Sequence, residues 1–208
     1  RYCLATVMGY YRAIPVADPL KAAMLMVHEV DYLEYMVAAS VGARHYPVAL
    51  GDPDVVIDCR GFEILARQYR MVLSMAQSPK PPKFSFNIGP PGHHCGRESP
   101  AGFCFSNTAA LTALLSRPEE ICVVLGLDIN SDNGLHDIFL NHDGDPRPVI
   151  HHDCYDAEVY PEQTMVAKAQ DQYQYCPFNA VGQDAAGMLG YLQARLSEIS
   201  AILVEKKS

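Results

Sequence analysis

Three features of the 208-residue sequence predict an α/β fold built on a largely parallel sheet. Residues 121–127, ICVVLGL, form an unbroken apolar run, the pattern of a strand covered on both faces. Stretches rich in β-formers alternate along the chain with stretches of helical apolar spacing. The richest polar clusters, GPPGHH and DINSDNG, each follow directly on such a run. In parallel sheets, ligands collect at that position, where loops leave the carboxyl ends of the strands.

Taken in order, residues 20–41 carry apolar side chains at helical spacing and read as two short helices. DPDVVIDCRGFEILARQYRMVLSMA begins as a loop and turns helical from about Gly61. KFSFNI, residues 83–88, alternates and predicts a strand running into the GPPGHH loop. Residues 107–116 predict a helix with Ser106 or Asn107 as its cap. The strand at 121–127 is then expected to lie parallel to 84–88, joined to it by a right-handed crossover through that helix. A weaker strand covers 147–151, and 183–206 is mostly helix, with a β-capable patch at 200–204. No repeat, low-complexity tract or linker divides the chain, so one domain is expected over residues 1–208.

Composition narrows the function. Apolar residues make up 49% and charged residues 19%, a globular mix. A formal charge of -8 without a basic run argues against direct nucleic-acid binding, which needs clustered Lys and Arg. An acidic surface does suit basic protein tails. No run of 18 apolar residues occurs, so no membrane span is expected. The chain begins at Arg1 without the basic-apolar-small progression of a secretory leader. Seven widely spaced cysteines without a C-x-x-C pair read as reduced, buried thiols of a cytoplasmic protein, or a nuclear one in a eukaryote. Oligomeric state leaves no trace in the sequence.

His93 and His94 follow the 83–88 stretch and are held by Pro90, Pro91 and Gly92. Such a pair is either a solvated loop or a proton-transfer device, because imidazole titrates near neutral pH and the prolines restrict the backbone beneath it. Asp128 ends the apolar run, where an isolated carboxylate is costly. It caps a helix, pairs with a cation or binds a metal. Asn130 lies two residues on and shares its face in an extended segment. His151-His152-Asp153 reads as loop in preference to an extra metal site, and NHDGD at 141–145 as a solvated turn in preference to a calcium loop. Cys95 reads as packing.

GPPGHHCGRESPAGFCFSNTAAL closely resembles the histone-deacetylase signature, R-P-P-G-H-H followed by G-F-C-x-x-N-N. VVLGLDINSDNGLHDIF resembles the family's D-x-D-x-H-H-G-N-G-T-Q-x-x-F block, with Asp128, Asn133, Gly134 and Phe139 in register. LMVHEVDYLEYM resembles the L-x-x-V-H-x-x-x-Y-L helix, and EVYP the G-F-F-P loop. The superfamily also holds acetylpolyamine amidohydrolases and the arginases. The resemblance implies a three-layer α/β/α fold and a catalytic zinc that polarises an acyl-amide carbonyl and activates water. It implies His93 and His94 as general acid/base pair, with His94 nearer the water, and Asp128 as metal ligand. Phe103 and Tyr160 would wall a tunnel for an acylated chain, with the Gly102 carbonyl near its bottom. Asp52, or Asp54, would be the rim aspartate that grips substrate backbone. The implied partners are an acylated lysine peptide or protein, or an acylpolyamine.

The chain departs from that pattern at the metal. Asn130 and Ser131 stand where the family has two histidines, and Gly126 where it has the aspartate that orients the first His of the pair. Gly89 replaces the opening Arg. An amide oxygen at Asn130 favours harder cations over zinc, so another divalent metal, or none, is a standing alternative. The second Asp ligand and the transition-state tyrosine of the family have no counterpart before residue 208, and the expectation is a domain lacking its C-terminal part. Two functions follow: a metal-dependent amidohydrolase acting on acyl-lysine or acylpolyamines, and a degenerate deacetylase-like binding or scaffolding module.

Overall fold

The computed structural model describes residues 18–43, 45–80, 82–117, 119–141, 148–170 and 172–205. Asp18 opens the first helix, α1 (Pro19–Val27), by accepting the Leu20 N–H at 2.8 Å. Pro19 lies in its first turn, where a missing N–H costs nothing. After His28 and Glu29 the chain re-enters helix as α2 (Val30–Gly42), so the expected pair of short helices is present. The third helix, α3 (Gly61–Ala76), buries Phe62, Leu65, Tyr69 and Val72. The fourth, α4 (Thr108–Leu114), is capped by Asn107, whose Oδ1 accepts the Ala110 N–H at 3.0 Å. These four helices bring their apolar faces into one core centred on Met24, Leu33, Met36, Leu65 and Leu111. A hairpin of β1 (Val48–Leu50) and β2 (Asp52–Ile57) precedes α3 where the sequence read as loop. Its strands are short, and Pro53 interrupts their pattern.

The main sheet contains β3 (Cys122–Gly126), β4 (Val149–Tyr155), β5 (Lys168–Gln170) and β6 (Tyr173–Asn179), in the order β3-β4-β6-β5. β3, β4 and β6 run parallel, and β5 is antiparallel to β6. Helix α5 (Asn133–Leu140) joins β3 to β4 and covers the face that carries His151, Tyr173 and Tyr175. Helix α6 (Ala185–Glu205) covers the other face, where Tyr191 stacks on Phe178 at 4.0 Å and Met188 touches Cys154. The sheet therefore lies between two helical layers, the expected α/β architecture with a mainly parallel sheet.

Three expectations are corrected. Residues 84–88 form no strand, and Phe84, Phe86 and Ile88 stand 93%, 90% and 84% exposed. Alternation makes a segment competent for a ladder, but a strand exists only beside a partner, and among the described residues none pairs with this one. Its expected parallel pairing with 121–127 is therefore absent as well. β3 is half-buried along its whole length because, among the described residues, it is an edge strand of the sheet. The strand buried along nearly its whole length is β4, so His151-His152-Asp153 is interior strand and not loop. Most of the 141–145 turn lies outside the described residues.

Candidate active site

The loop bearing the two histidines is held from both sides. The Cys95 N–H closes a turn onto the Gly92 carbonyl at 3.0 Å, and Asn107 Nδ2 donates to the Cys95 carbonyl at 3.1 Å. From the sheet side, the Leu135 N–H of α5 donates to the His93 carbonyl at 3.0 Å. The imidazoles of His93 and His94 are thereby held close, tilted at 37° with their centroids 4.0 Å apart.

Their partners differ. His93 Nδ1 meets Asp132 Oδ1 at 2.8 Å, whereas His94 Nδ1 donates to the neutral amide oxygen of Asn133. Burial disfavours charge on His93, but the hydrogen-bonded Asp132 carboxylate, aided by Asp128 and Asp153, raises its pKa overall. Burial also disfavours charge on His94; the Asn133 bond only partly offsets it, the neighbouring His93 adds to it, and the pKa falls. The pair is thus biased towards one charged and one neutral imidazole. With Nδ1–H committed to Asn133, His94 keeps its Nε2 lone pair for a proton.

Behind His93 lies a buried polar network that the sequence reading missed. Asp132 Oδ2 accepts from His151 Nε2 at 3.0 Å, and the Asp132 N–H donates to Asp153 Oδ2 at 3.0 Å. Tyr175 donates to the same Asp153 oxygen at 2.6 Å. Burial would raise the Asp132 pKa, but hydrogen bonds from His151 and His93 hold it down, to about 2. Asp153 moves the other way, raised by burial and by the charge of Asp132. Asp132 lies in the DINSDNG cluster, but only the tertiary fold brings it against His151. The one local signal was a carboxylate within the strand VIHHDCY.

Gly102 and Phe103 form the tip of a turn closed by reciprocal Ala101–Cys104 backbone bonds, and both have positive φ, 48° and 65°. Gly102 lies between His94 and Tyr160, whose rings meet edge-on at 4.9 Å. Phe103 and Tyr160 are exposed beside them. Asp52, at the start of β2, accepts the Gly102 N–H at 3.2 Å and the Asp54 N–H at 2.8 Å. Asp128 and Asn130 follow β3. Asp128 is exposed, caps no helix, and accepts the Asn130 N–H at 2.9 Å. Asn130 Nδ2 donates to the Tyr160 carbonyl at 2.7 Å, joining the loop after β3 to the aromatic wall. Among the described residues no group of three His, Cys, Asp or Glu is arranged to hold a metal ion. Asp128 and the amide oxygen of Asn130 alone fall short of the three protein ligands of a catalytic zinc. The residues present do not fit that metal by themselves.

A mainly parallel sheet between helical layers, with paired histidines beside a polar loop at the strand ends, defines a deacetylase-like α/β domain. Residues 5–204 match the histone deacetylase domain, and the chain belongs to the histone deacetylase family. It is similar to acetylpolyamine amidohydrolase 1 of Pseudomonas aeruginosa, 38% identical over 28% of this chain and 20% of that protein. A probable deacetylase of Archaeoglobus fulgidus is 27% identical over 76% of this chain and 45% of its own length. The fold resembles the crystal structure of an acetylpolyamine aminohydrolase from Burkholderia pseudomallei, with a TM-score of 0.64 at 17% identity, covering 86% of this chain and 62% of that one. The chain thus spans less than two thirds of the length of each of these relatives.

Proposed function

We propose that this chain carries the proton-transfer part of an amidohydrolase that removes an acyl group, typically acetyl, from lysine side chains or polyamines. Membership of the histone deacetylase family supports the reaction class, and the acetylpolyamine amidohydrolase relatives support the polyamine arm. The observation that carries the reading is the His93–His94 pair, one imidazole on a carboxylate and the other on an amide. His94 Nε2 takes a proton from the attacking water and returns it to the departing amine. His93, biased towards the charged form, offsets negative charge that develops beside it. Phe103 and Tyr160 flank the acyl chain, Asp52 lies at the rim, and the Gly102 carbonyl lies near the bottom. Zinc is the cofactor the family resemblance implies, with Asp128 and Asn130 as its ligands from this chain. Because that pair falls short, the remaining donors, and the rest of a single domain, would come from polypeptide outside these 208 residues.

The test uses the longer polypeptide. Acetate release from N-acetylputrescine and from an acetyl-lysine peptide is measured with zinc, manganese or cobalt added. We expect turnover that falls by about a hundredfold or more in His94→Ala, the scale of lost acid–base catalysis. Turnover unchanged by His94→Ala overturns the reading. Gly126 at the end of β3, with Asn130 and Ser131 in the loop that follows, favours a second reading as a binding module. That reading expects retention of the acetyl-lysine peptide without acetate release under every metal.

A further inference from the structure

We infer that Asp132 is the positioning residue for His93, a bridging carboxylate that stands in space which any side chain at residue 126 would need. The inference rests on the proposed proton-transfer role of the histidine pair. Both Asp132 oxygens are engaged, Oδ1 with His93 Nδ1 at 2.8 Å and Oδ2 with His151 Nε2 at 3.0 Å. A carboxylate only accepts, so each histidine must turn an N–H towards it. His93 is thereby fixed with Nδ1–H inward and Nε2 outward.

The polarity continues away from the site. With His151 giving Nε2–H to Asp132, its Nδ1 accepts the Tyr173 O–H at 3.1 Å, and the Tyr173 oxygen accepts from His136 Nδ1 at 2.9 Å. Asp132 is anchored on its backbone too, by the bond of its N–H to Asp153 Oδ2. One carboxylate therefore locks the tautomers of two imidazoles at once.

Gly126 makes the arrangement possible. An ideal Cβ at that position falls 2.2 Å from Asp132 Oδ2 and 3.3 Å from Asp153 Oδ1. A side chain at 126 and the carboxylate of 132 exclude one another. The family pattern has an orienting aspartate at the strand end, where this chain has Gly126. Here the acid comes instead from the residue just before α5, and the glycine is the vacancy that admits it. The loss at 126 and the gain at 132 are one relocation.

The experiment compares the longer polypeptide with Asp132→Gly and with the exchange variant that combines Gly126→Asp and Asp132→Gly. Nitrogen-15 NMR of the imidazoles at a single pH reads the His93 tautomer and its hydrogen-bonded Nδ1–H. Acetate release reads kcat and KM separately. We expect Asp132→Gly, which leaves His93 Nδ1 no side-chain acceptor at 132, to lose the single Nδ1–H form of His93 and to lower kcat by about a hundredfold or more, with KM little changed, as when a histidine loses its orienting acid. The exchange variant should regain the Nδ1–H signal and about tenfold or more in kcat over Asp132→Gly. An unaltered His93 tautomer in Asp132→Gly overturns the inference. So does a folded exchange variant, judged by circular dichroism, that matches Asp132→Gly in both readouts. Should the parent polypeptide release no acetate, the proposed function fails, while the tautomer measurement still decides the position of His93.

Discussion

Gly102 and His94 approach so closely that a single added carbon would collide: an ideal Cβ on Gly102 lies 2.6 Å from His94 Cδ2, and 2.7 Å from Tyr160 Cε1 on its other side. The backbone there has a φ of 48°, which disfavours any side chain. Gly102→Ala should cost about 2–4 kcal/mol from the left-handed conformation and the overpacking together. It should also push the His94 ring off its bond to Asn133. Urea unfolding and acetate release measure the two effects; an alanine variant with parental stability and turnover would mean that the turn yields freely.

Burial holds the His94 pKa down and the Asn133 amide only partly offsets it, so Asn133→Asp should raise that pKa by putting a full negative charge beside Nδ1–H. The reaction needs His94 neutral. The acid limb of kcat/KM should therefore move to higher pH, by about one unit, and activity at pH 6 should drop more than activity at pH 8. A pH–rate profile of both proteins decides it, and an unmoved acid limb assigns that limb to another group.

Zinc should bind weakly to these 208 residues, since Asp128 is the strong donor and Asn130 offers an amide oxygen. Asn130→His supplies an imidazole and should tighten binding by about tenfold or more, the scale on which changes around a metal site act. Isothermal titration with zinc measures it. Equal affinity in the two proteins would place the ion elsewhere.

His28 links acid stability to the fold. It is buried in the core, donates from Nδ1 to the Gly96 carbonyl at 3.0 Å, and accepts the Asn107 N–H at Nε2. Burial lowers its pKa from 6.5 to about 4. The unfolded chain binds the proton more tightly, so this contribution is complete above pH 6.5 and is lost as pH falls towards 4. One such group removes about 2 kcal/mol by pH 5 and about 3 kcal/mol by pH 4. Urea midpoints between pH 7 and 5 should fall accordingly, and His28→Gln should flatten the slope. A slope identical in the two proteins would assign the acid sensitivity to other residues.

Local signals were legible in the sequence where they are self-contained. The helical spacing of α3, the Asn107 cap and the apolar run of β3 each depend on near neighbours, and each is present. β6 escaped notice because Pro177 interrupts YQYCPFN. The proline is tolerated there because β5 pairs only with Tyr173–Tyr175, leaving the strand's outer edge at residue 177 without a partner among the described residues. The 83–88 stretch failed in the opposite sense, since its alternation is strong but a ladder requires a second strand. At the candidate site, the histidine pair and Asp128 lie in compact motifs. The Asp132–His151–Asp153 network joins a helix start to a strand 19–21 residues away, a relation set by the β3–α5–β4 crossover and invisible to spacing.

The ribbon at 84–88 and the outer edge of β3 should also influence how the protein behaves in a tube. Each presents backbone donors and acceptors without a ladder partner among the described residues, and the first adds Phe84, Phe86 and Ile88 in alternation. Two copies that meet can zip these ribbons together, as exposed edges do in proteins prone to precipitate. Light scattering of the 208-residue chain should therefore rise with concentration and with kosmotropic salt, and dye probes of apolar surface should brighten before any loss of helix. Placing a lysine at residue 86 would act as a gatekeeper, keeping preparations clear while leaving the histidine loop untouched.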